Sequence, residues 1–329
     1  ATGLAHGNPF HFSMLLDPTG TFLGKTPCGG NVLFDLFTKT STRLYYNFLV
    51  TGEMGSGKST LLKKQLKDNA AKGNFVRTFD VSGEFTLLTK TLGGKVIKMD
   101  GSNGILNPLE ILRAGDNESI SFTRHISKVS TFYKLLVGGK VEAEEIVEFE
   151  EMLRELYKEF GFDNEVGSKQ KQFTGLPATS YPTFSDFLKS ATKNIKEMQS
   201  KKYSKLEEQV VVKTLILRDK IVKIIRNIVK TYGKLFDGYT TIDNITDEQI
   251  ITFDLSILKE LKPEVFDASI INMISLCWDN CVTNGKLMQK SLDDGSIKMW
   301  DVVKTLILID ESHRWLNAKK VQALDLISI

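Results

Sequence analysis

One stretch decides the fold of this chain: Gly52-Glu53-Met54-Gly55-Ser56-Gly57-Lys58-Ser59-Thr60. It follows an apolar run at residues 45–50 and opens a run with helical periodicity at residues 59–71. A strand, a glycine-rich loop and a helix, with the spacing G-x-x-x-x-G-K-[ST], are typical of a phosphate-binding loop, or P-loop. Its glycines let successive N–H groups point inward, and the helix N-terminus adds partial positive charge. The stretch therefore predicts a nucleoside triphosphate site.

The predicted loop gives each polar side chain a role. Lys58 is expected to reach the β- and γ-phosphates, and the Ser59 hydroxyl is expected to bind Mg²⁺. A glycine-rich turn without a ligand is the alternative, but a chance match is expected in only about one chain in a hundred of this length. The residues predicted to contact the nucleotide here are Gly52, Gly55, Ser56, Gly57, Lys58, Ser59 and Thr60.

Composition places the chain among globular proteins. It has 329 residues, of which 41% are hydrophobic and 25% charged, and its net charge of +3 is too small to indicate a partner. Three cysteines are too few for a disulfide framework and indicate a reducing compartment. Cys277 and Cys281 have no second Cys or His pair nearby and are expected to be buried thiols. No apolar run reaches the roughly 18 residues that span a bilayer.

Strand and helix patterns alternate on both sides of the loop. Residues 1–44 have the pattern of short strands and turns, which predicts a small β cap. A helix predicted at residues 264–283 is followed by a polar connector at 284–296. Alternation of this kind favours a parallel sheet. Further strands are predicted at residues 75–80, 95–99, 249–255 and 305–309.

The sequence pattern changes between the strands predicted at residues 95–99 and 249–255. From Leu109 to about Asp243 most of the sequence has helical periodicity and little strand signal, which predicts a helical domain inserted into the α/β domain. Residues 141–160 contain eight glutamates, whereas residues 199–234 contain ten Lys and Arg against three acids. This basic segment is a candidate nucleic-acid surface. A solvated helix face is the commoner explanation of such a charge run.

A second motif lies at the end of the last predicted strand, where the aliphatic residues 305–309 are followed by Asp310-Glu311. Large aliphatics suit a central parallel strand that is covered on both faces. Asp310 is expected to hold Mg²⁺ through its water shell, and Glu311 to polarise the water that attacks the γ-phosphate. Many buried strands end in an acid, so this motif is informative mainly because a P-loop accompanies it.

Two further side chains are candidates for the nucleotide site. Glu84 lies just beyond the predicted strand that ends at Asp80, and ligands bind at the carboxyl ends of parallel strands. Glu84 is therefore a predicted nucleotide contact, with a solvated turn acid as the alternative. His313 is a candidate sensor of the γ-phosphate, with a structural histidine as an equal alternative.

Further stretches accompany the P-loop: Asn31-Val32-Leu33-Phe34-Asp35, residues 80–85, 92–94 and 101–108, and residues 309–316. Together they resemble one family, the C-terminal ATPase domain of the TraC/VirB-type conjugative-transfer ATPases. These belong to the HerA–FtsK branch of RecA-like P-loop NTPases and serve type IV secretion. The resemblance covers nearly the whole chain, and its series Gly-Glu-Phe, Gly-Gly and Asn-Pro is more specific than the P-loop alone.

The resemblance implies a RecA-like α/β fold with a mostly parallel central sheet, a small N-terminal β cap and a large inserted all-helical domain. It implies that the ATPase domain is made of residues 1–108 and 246–329, with residues 109–245 inserted between the two parts. We expect the P-loop in the first part and the Asp310-Glu311 strand in the second.

The resemblance also implies a function: an ATPase that uses ATP and Mg²⁺ and powers pilus assembly or substrate transfer. Its expected place is cytoplasmic, peripheral to the inner face of the cell membrane, through type IV secretion channel and coupling proteins. Further copies of the chain are expected partners, with a hexamer as one option. Hydrolysis is expected to need that oligomer, because an arginine of a neighbouring subunit usually completes the site. ATP is favoured over GTP because no guanine-type Asn-Lys-x-Asp motif is present.

Two alternative functions stay open at this point. A DNA translocase or coupling protein of the same branch is supported only by the basic segment 199–234. A nucleotide-gated scaffold that binds ATP and rarely hydrolyses it is the second alternative. The complete set of catalytic and metal-binding side chains argues against the scaffold, because a chain without hydrolysis would be free to lose them; these side chains are Lys58, Ser59, Asp310 and Glu311.

Overall fold

A computed structural model describes residues 15–26, 28–41, 43–102, 104–113, 117–162, 172–242 and 245–312 of the chain. The chain divides into two compact units after Gly73. The first unit carries the P-loop, and the second carries a parallel sheet and the longer helices. The domain limits that the sequence predicts, after residues 108 and 245, stay a prediction.

The first unit contains the small β cap that the sequence predicts. Its middle strand pairs in parallel with the first strand and antiparallel with the second. Asp17 ties the cap together, because its carboxylate accepts a hydrogen bond from the Asp35 N–H at 2.8 Å and pairs with Arg43 at 2.7 Å. The strands are β1 (Leu15–Leu16), β2 (Thr21–Lys25) and β3 (Asn31–Phe34), and the helix is α1 (Lys58–Ala71).

The strand predicted at residues 45–50 is wrong: this run has no regular secondary structure. Tyr45 and Leu49 are 74% and 75% exposed. A strand needs a neighbour that supplies backbone hydrogen-bond partners. The described strands of the first unit pair only among themselves. The apolar pattern of residues 45–50 is therefore not enough to form a strand, because no described strand of this unit pairs with the run.

The second unit contains a four-stranded parallel sheet of β4 (Phe75–Asp80), β5 (Lys95–Lys98), β6 (Ile250–Asp254) and β7 (Thr305–Ile309). The strands lie in the order β5-β6-β4-β7. Its inner strands β6 and β4 are buried on both faces, although they include polar residues. The aliphatic run at 305–309, which predicts a central strand, instead forms the edge strand β7 of the described sheet, where only alternate residues are buried. Phe79 and Phe253, which are partners in the register of β4 and β6, place their rings 5.3 Å apart in the core.

Helices fill the sequence between β5 and β6, as the sequence predicts, and pack around an aromatic core of their own. Tyr133 stacks on Phe149 with ring centroids 4.3 Å apart, and Phe162 stacks on Tyr181 at 5.6 Å. None of the described helices is long and apolar enough to cross a bilayer. The helices of the second unit are α2 (Thr86–Thr91), α3 (Glu118–Leu136), α4 (Ala143–Glu159), α5 (Phe184–Ser200), α6 (Lys205–Phe236) and α7 (Pro263–Asp293).

Helix α7 continues ten residues beyond its predicted end at Thr283, so the predicted polar connector is mostly helical. The polar residues that suggested a connector lie on a half-buried or exposed part of the helix, where they do not interrupt it. Asn284 instead donates a side-chain hydrogen bond to the Val303 carbonyl at 2.9 Å. Composition alone therefore did not distinguish a solvated helix from a loop.

A buried histidine makes the helical core sensitive to acid. His125 of α3 contacts the Tyr157 hydroxyl at 2.6 Å, and that hydroxyl donates to the Leu109 carbonyl at 2.7 Å. His125 therefore donates its Nε2–H to Tyr157. Burial, assisted by the positive charge of Lys128, holds the pKa of His125 well below 6.5.

We expect the free energy of unfolding to fall as the pH drops below about 6.5, because the unfolded chain takes up a proton that the folded chain refuses. The contribution of His125 is about 1.4 kcal/mol per pH unit until its folded pKa is reached. Urea unfolding of the chain and of His125→Gln at pH 7, 6 and 5 measures it. The variant should lose less stability on acidification, and parallel profiles would contradict the assignment.

Candidate functional site

The P-loop has the backbone that its glycines predict. Gly55 and Gly57 adopt φ angles of 80° and 90°, in the left-handed region that side chains disfavour. A Cβ at Gly52 would collide with Ser56 Oγ. Gly57 is the N-cap of α1, and the Leu61 N–H donates to its carbonyl at 2.9 Å. The shape of the loop therefore favours glycine at positions 55 and 57, whereas a side chain at position 52 would require the Ser56 side chain to move.

Lys58 lies across the loop. Its Nζ donates to the carbonyls of Gly52 and Glu53, at 2.8 Å in each case. Both hydrogen bonds are exposed and neutral oxygens accept them, so an arriving phosphate can replace them at little cost. Ser59 beside it is half-buried and Thr60 is exposed. The ammonium group is thus already held at the loop that is predicted to bind the phosphates.

Asp310 directly follows β7. Its N–H donates to the Phe79 carbonyl at 3.1 Å, which continues the β4–β7 ladder by one residue. Its side chain is only 6% exposed, and Oδ2 accepts a hydrogen bond from Ser82 Oγ at 2.8 Å. Burial raises the pKa of the Asp310 carboxyl group, and the negative charges of Glu311 and Asp80 raise it further.

Glu311 has the one positive φ angle among the described residues other than glycine, 51°. Such a backbone is uncommon for a residue with a side chain and costs about 1–3 kcal/mol. Strain of this kind persists where the surrounding structure requires it, often at functional sites. The strained backbone therefore lies at the residue that the sequence predicts to activate water, two positions beyond the end of β7.

Asp80 stabilises a turn. Its Oδ1 accepts the N–H groups of Gly83 at 2.8 Å and Glu84 at 3.1 Å, and its Oδ2 accepts that of Phe85 at 2.9 Å. These bonds hold the turn that leads into α2. Glu84 itself is exposed, so its predicted contact with the nucleotide stays a prediction.

Sequence reasoning missed Ser82. This residue lies in a stretch that carries the family resemblance, yet the sequence assigned it no role. The missing information was the pairing of β4 with β7, which brings the turn after Asp80 beside Asp310. His313, the candidate sensor, lies outside the described residues.

The thiols agree with the sequence prediction. Cys277 is fully buried and Cys281 is half-buried, and burial raises the pKa of both thiol groups. No cluster of three or more His, Cys, Asp and Glu side chains arranged for a metal ion occurs in the part of the chain that the structure describes.

Three of the ten basic residues of the segment 199–234 form ion pairs with acidic side chains of the protein. Arg218, with a side chain 6% exposed, pairs with Glu148 at 2.6 Å and with Glu155 at 2.8 Å. Lys220 pairs with Glu145, and Lys223 with Asp219, at 2.5 Å each. The basic residues thus partly neutralise the acidic helix α4, which weakens the case for a nucleic-acid surface. A charge reversal at Lys220 would disturb the helical core as well as any DNA contact.

Comparisons with known proteins agree with this architecture. No family model matches the chain. The chain is 30% identical over 330 residues to the uncharacterised protein pXO2-09 of Bacillus anthracis, a match that covers 96% of this chain and 50% of that protein. The chain therefore spans about half the length of the curated relative that it matches.

A solved structure extends the comparison. VirB4 of Thermoanaerobacter pseudethanolicus matches with a TM-score of 0.73 and 22% sequence identity, over 95% of this chain and 73% of that one. The similarity in structure therefore covers the helical insertion as well as the parallel sheet. The chain has the α/β fold of VirB4, and at the level of the fold this confirms the resemblance to the TraC/VirB-type ATPases.

Proposed function

We propose that the chain is the ATPase part of a type IV secretion or conjugative-transfer motor, which binds Mg·ATP and hydrolyses it. The observation that carries the proposal is the P-loop, in which left-handed glycines and the Lys58 ammonium surround a helix N-terminus. The buried Asp310, which directly follows the edge strand β7 of the described sheet, and the VirB4 fold support it.

The donors suit the nucleotide and its metal. Mg²⁺ prefers hard oxygen ligands, which the Ser59 hydroxyl and the Asp310 carboxylate supply. Bound Mg²⁺ would neutralise charge on the β- and γ-phosphates. Lys58 and the backbone N–H groups from Gly55 to Thr60 would stabilise the charge that develops on the transferring phosphoryl group. Glu311 would accept a proton from the attacking water.

The wider function is proposed for a complete motor protein, in which this chain would form the ATPase part. The motor would power pilus assembly or substrate transfer from the cytoplasmic face of the membrane. Its partners would be the secretion channel, the coupling proteins and further copies of the chain, one of which would supply an arginine to complete the site. The single supporting observation for these partners is the structural similarity to VirB4.

The nucleotide site is tested by Lys58→Ala, which we expect to weaken ATP binding by about 10- to 100-fold. The reason is that hydrogen bonds to a charged group contribute about 1.5–3 kcal/mol each. Equilibrium titration with a fluorescent ATP analogue measures the affinity. Lys67→Ala is the matched control, because Lys67 is an exposed lysine of the same helix outside the loop. Equal affinities of Lys58→Ala and the control would contradict the proposed site.

A further inference from the structure

Ser82 connects the ends of two neighbouring strands. It lies two residues beyond the end of β4, and its hydroxyl donates a hydrogen bond to Asp310 Oδ2, just beyond β7, at 2.8 Å. The same Oγ lies 3.3 Å from Asp80 Oδ1. A serine hydroxyl has one proton, so only one of these carboxylates can receive it at a time.

The shorter contact reaches the carboxylate that has fewer other donors. Asp80 already accepts three backbone N–H groups from the turn that follows it. Within the described ranges, Ser82 is the one side chain that donates a hydrogen bond to the Asp310 carboxylate. Both the distance and the number of competing donors therefore assign the Ser82 proton to Asp310.

The surroundings of Asp310 make a donor important. The carboxyl group is buried, so donors of the protein rather than bulk water must hold its orientation. A lysine or arginine in this place would repel Mg²⁺ by its charge. The Ser82 hydroxyl donates to one carboxylate oxygen without adding positive charge.

We propose that Ser82 is a positioning residue that orients the Asp310 carboxylate for the Mg²⁺ of the bound nucleotide. The inference rests on the proposed function, since Asp310 is a metal ligand only if the chain binds Mg·ATP. Ser82 acts through Asp310 and is not itself a ligand. Residues that orient metal ligands in this way typically change metal affinity by about 10- to 100-fold when they are removed.

Metal affinity tests the proposal without relying on turnover. Mn²⁺ is titrated into the whole chain with a saturating non-hydrolysable ATP analogue, and free Mn²⁺ is measured by electron paramagnetic resonance. Ser82→Ala is expected to weaken Mn²⁺ binding about 10-fold, while binding of the metal-free analogue is unchanged. Ser82→Thr keeps the hydroxyl and is expected to bind Mn²⁺ like the unsubstituted chain.

Ser256→Ala is the matched control. Ser256 follows Asp254 at the end of β6 as Ser82 follows Asp80 at the end of β4, and these two aspartates are partners in the sheet register. The Ser256 N–H donates to Asp254 at 3.0 Å, whereas its hydroxyl makes no hydrogen bond to any residue that the structure describes. The control should therefore keep its affinity for Mn²⁺.

The outcomes separate this inference from the function on which it rests. Mn²⁺ affinity within twofold of the unsubstituted chain for Ser82→Ala would overturn the role of Ser82 alone, as would an equal loss in Ser82→Thr or in Ser256→Ala. An unsubstituted chain that binds no Mn²⁺ with the analogue would overturn the proposed function and this inference with it.

Discussion

Replacing Glu311 by glutamine is expected to lower ATP turnover at least about 100-fold while ATP binding survives. General bases contribute about 10²- to 10⁴-fold to the rates of enzymes, and glutamine keeps the shape of the side chain but cannot accept a proton. The Glu311 backbone is strained, with a φ angle of 51°, and an amide in the same place leaves that backbone intact. The loss should therefore appear in kcat, whereas the affinity for Mg·ATP should change little.

Turnover is measured as phosphate release against protein concentration, with ATP binding measured in parallel. Turnover that rises steeply with concentration in the unsubstituted chain, and vanishes in the variant, would indicate a site that is completed between subunits. Tight binding with negligible turnover in both proteins, even within the full-length protein, would instead favour a nucleotide-gated scaffold.

Glu84→Gln is the matched comparison, because it makes the same chemical change at the other acidic candidate. If Glu84 contacts the nucleotide, the variant should lose affinity for Mg·ATP. If it is a solvated turn acid, as its exposure favours, both binding and turnover should be unchanged. Equal turnover of Glu311→Gln and Glu84→Gln would contradict the role of Glu311 as general base.

Replacing Arg218 by methionine is expected to destabilise the helical core by about 2–3 kcal/mol. The Arg218 side chain is 6% exposed and joins α6 to two glutamates of α4, at 2.6 and 2.8 Å. Breaking a buried pair costs about 3–5 kcal/mol, because one partner is left without compensation. We expect a smaller loss of about 2–3 kcal/mol for Arg218→Met, because Glu155 is 34% exposed and water stabilises part of its charge.

Urea unfolding followed by circular dichroism measures the change, and hydrogen exchange locates it in α4 and α6. Lys223→Met is the matched control: it removes a basic residue of the same helix whose partner is Asp219, but both side chains are more than half exposed, at 69% and 55%. The control should lose less than about 0.5 kcal/mol. Equal losses in the two variants would contradict the structural role of Arg218.

This ion pair also shows how tertiary structure changes the meaning of a charge pattern. By sequence alone, Arg218 and Lys220 belong to a basic segment with the composition of a nucleic-acid surface. In the structure they neutralise glutamates of α4. Composition records how many charges a helix carries, whereas packing decides whether those charges face solvent or a partner helix.

Local patterns determined much of this fold. The P-loop helix begins one residue before its predicted start and ends at the predicted Ala71. Its start could be predicted because Gly57, the N-cap, lies directly before the first helical residue in the sequence. The strand at residues 75–80 lies where its apolar pattern predicts. The large helical insertion is likewise predicted by periodicity, since an amphipathic helix carries its own pattern of burial.

Properties that depend on distant residues were decided only by the tertiary structure. The apolar run at residues 45–50 has the pattern of a strand, yet no strand forms because a ladder needs a partner. The turn after Asp80 meets Asp310 because β4 pairs with β7, across more than 200 positions of sequence. The sequence by itself thus determined which side chains are available for phosphate and metal chemistry. Strand pairing decided that Ser82 holds Asp310, because hydrogen bonds between distant residues exist only after the sheet has formed.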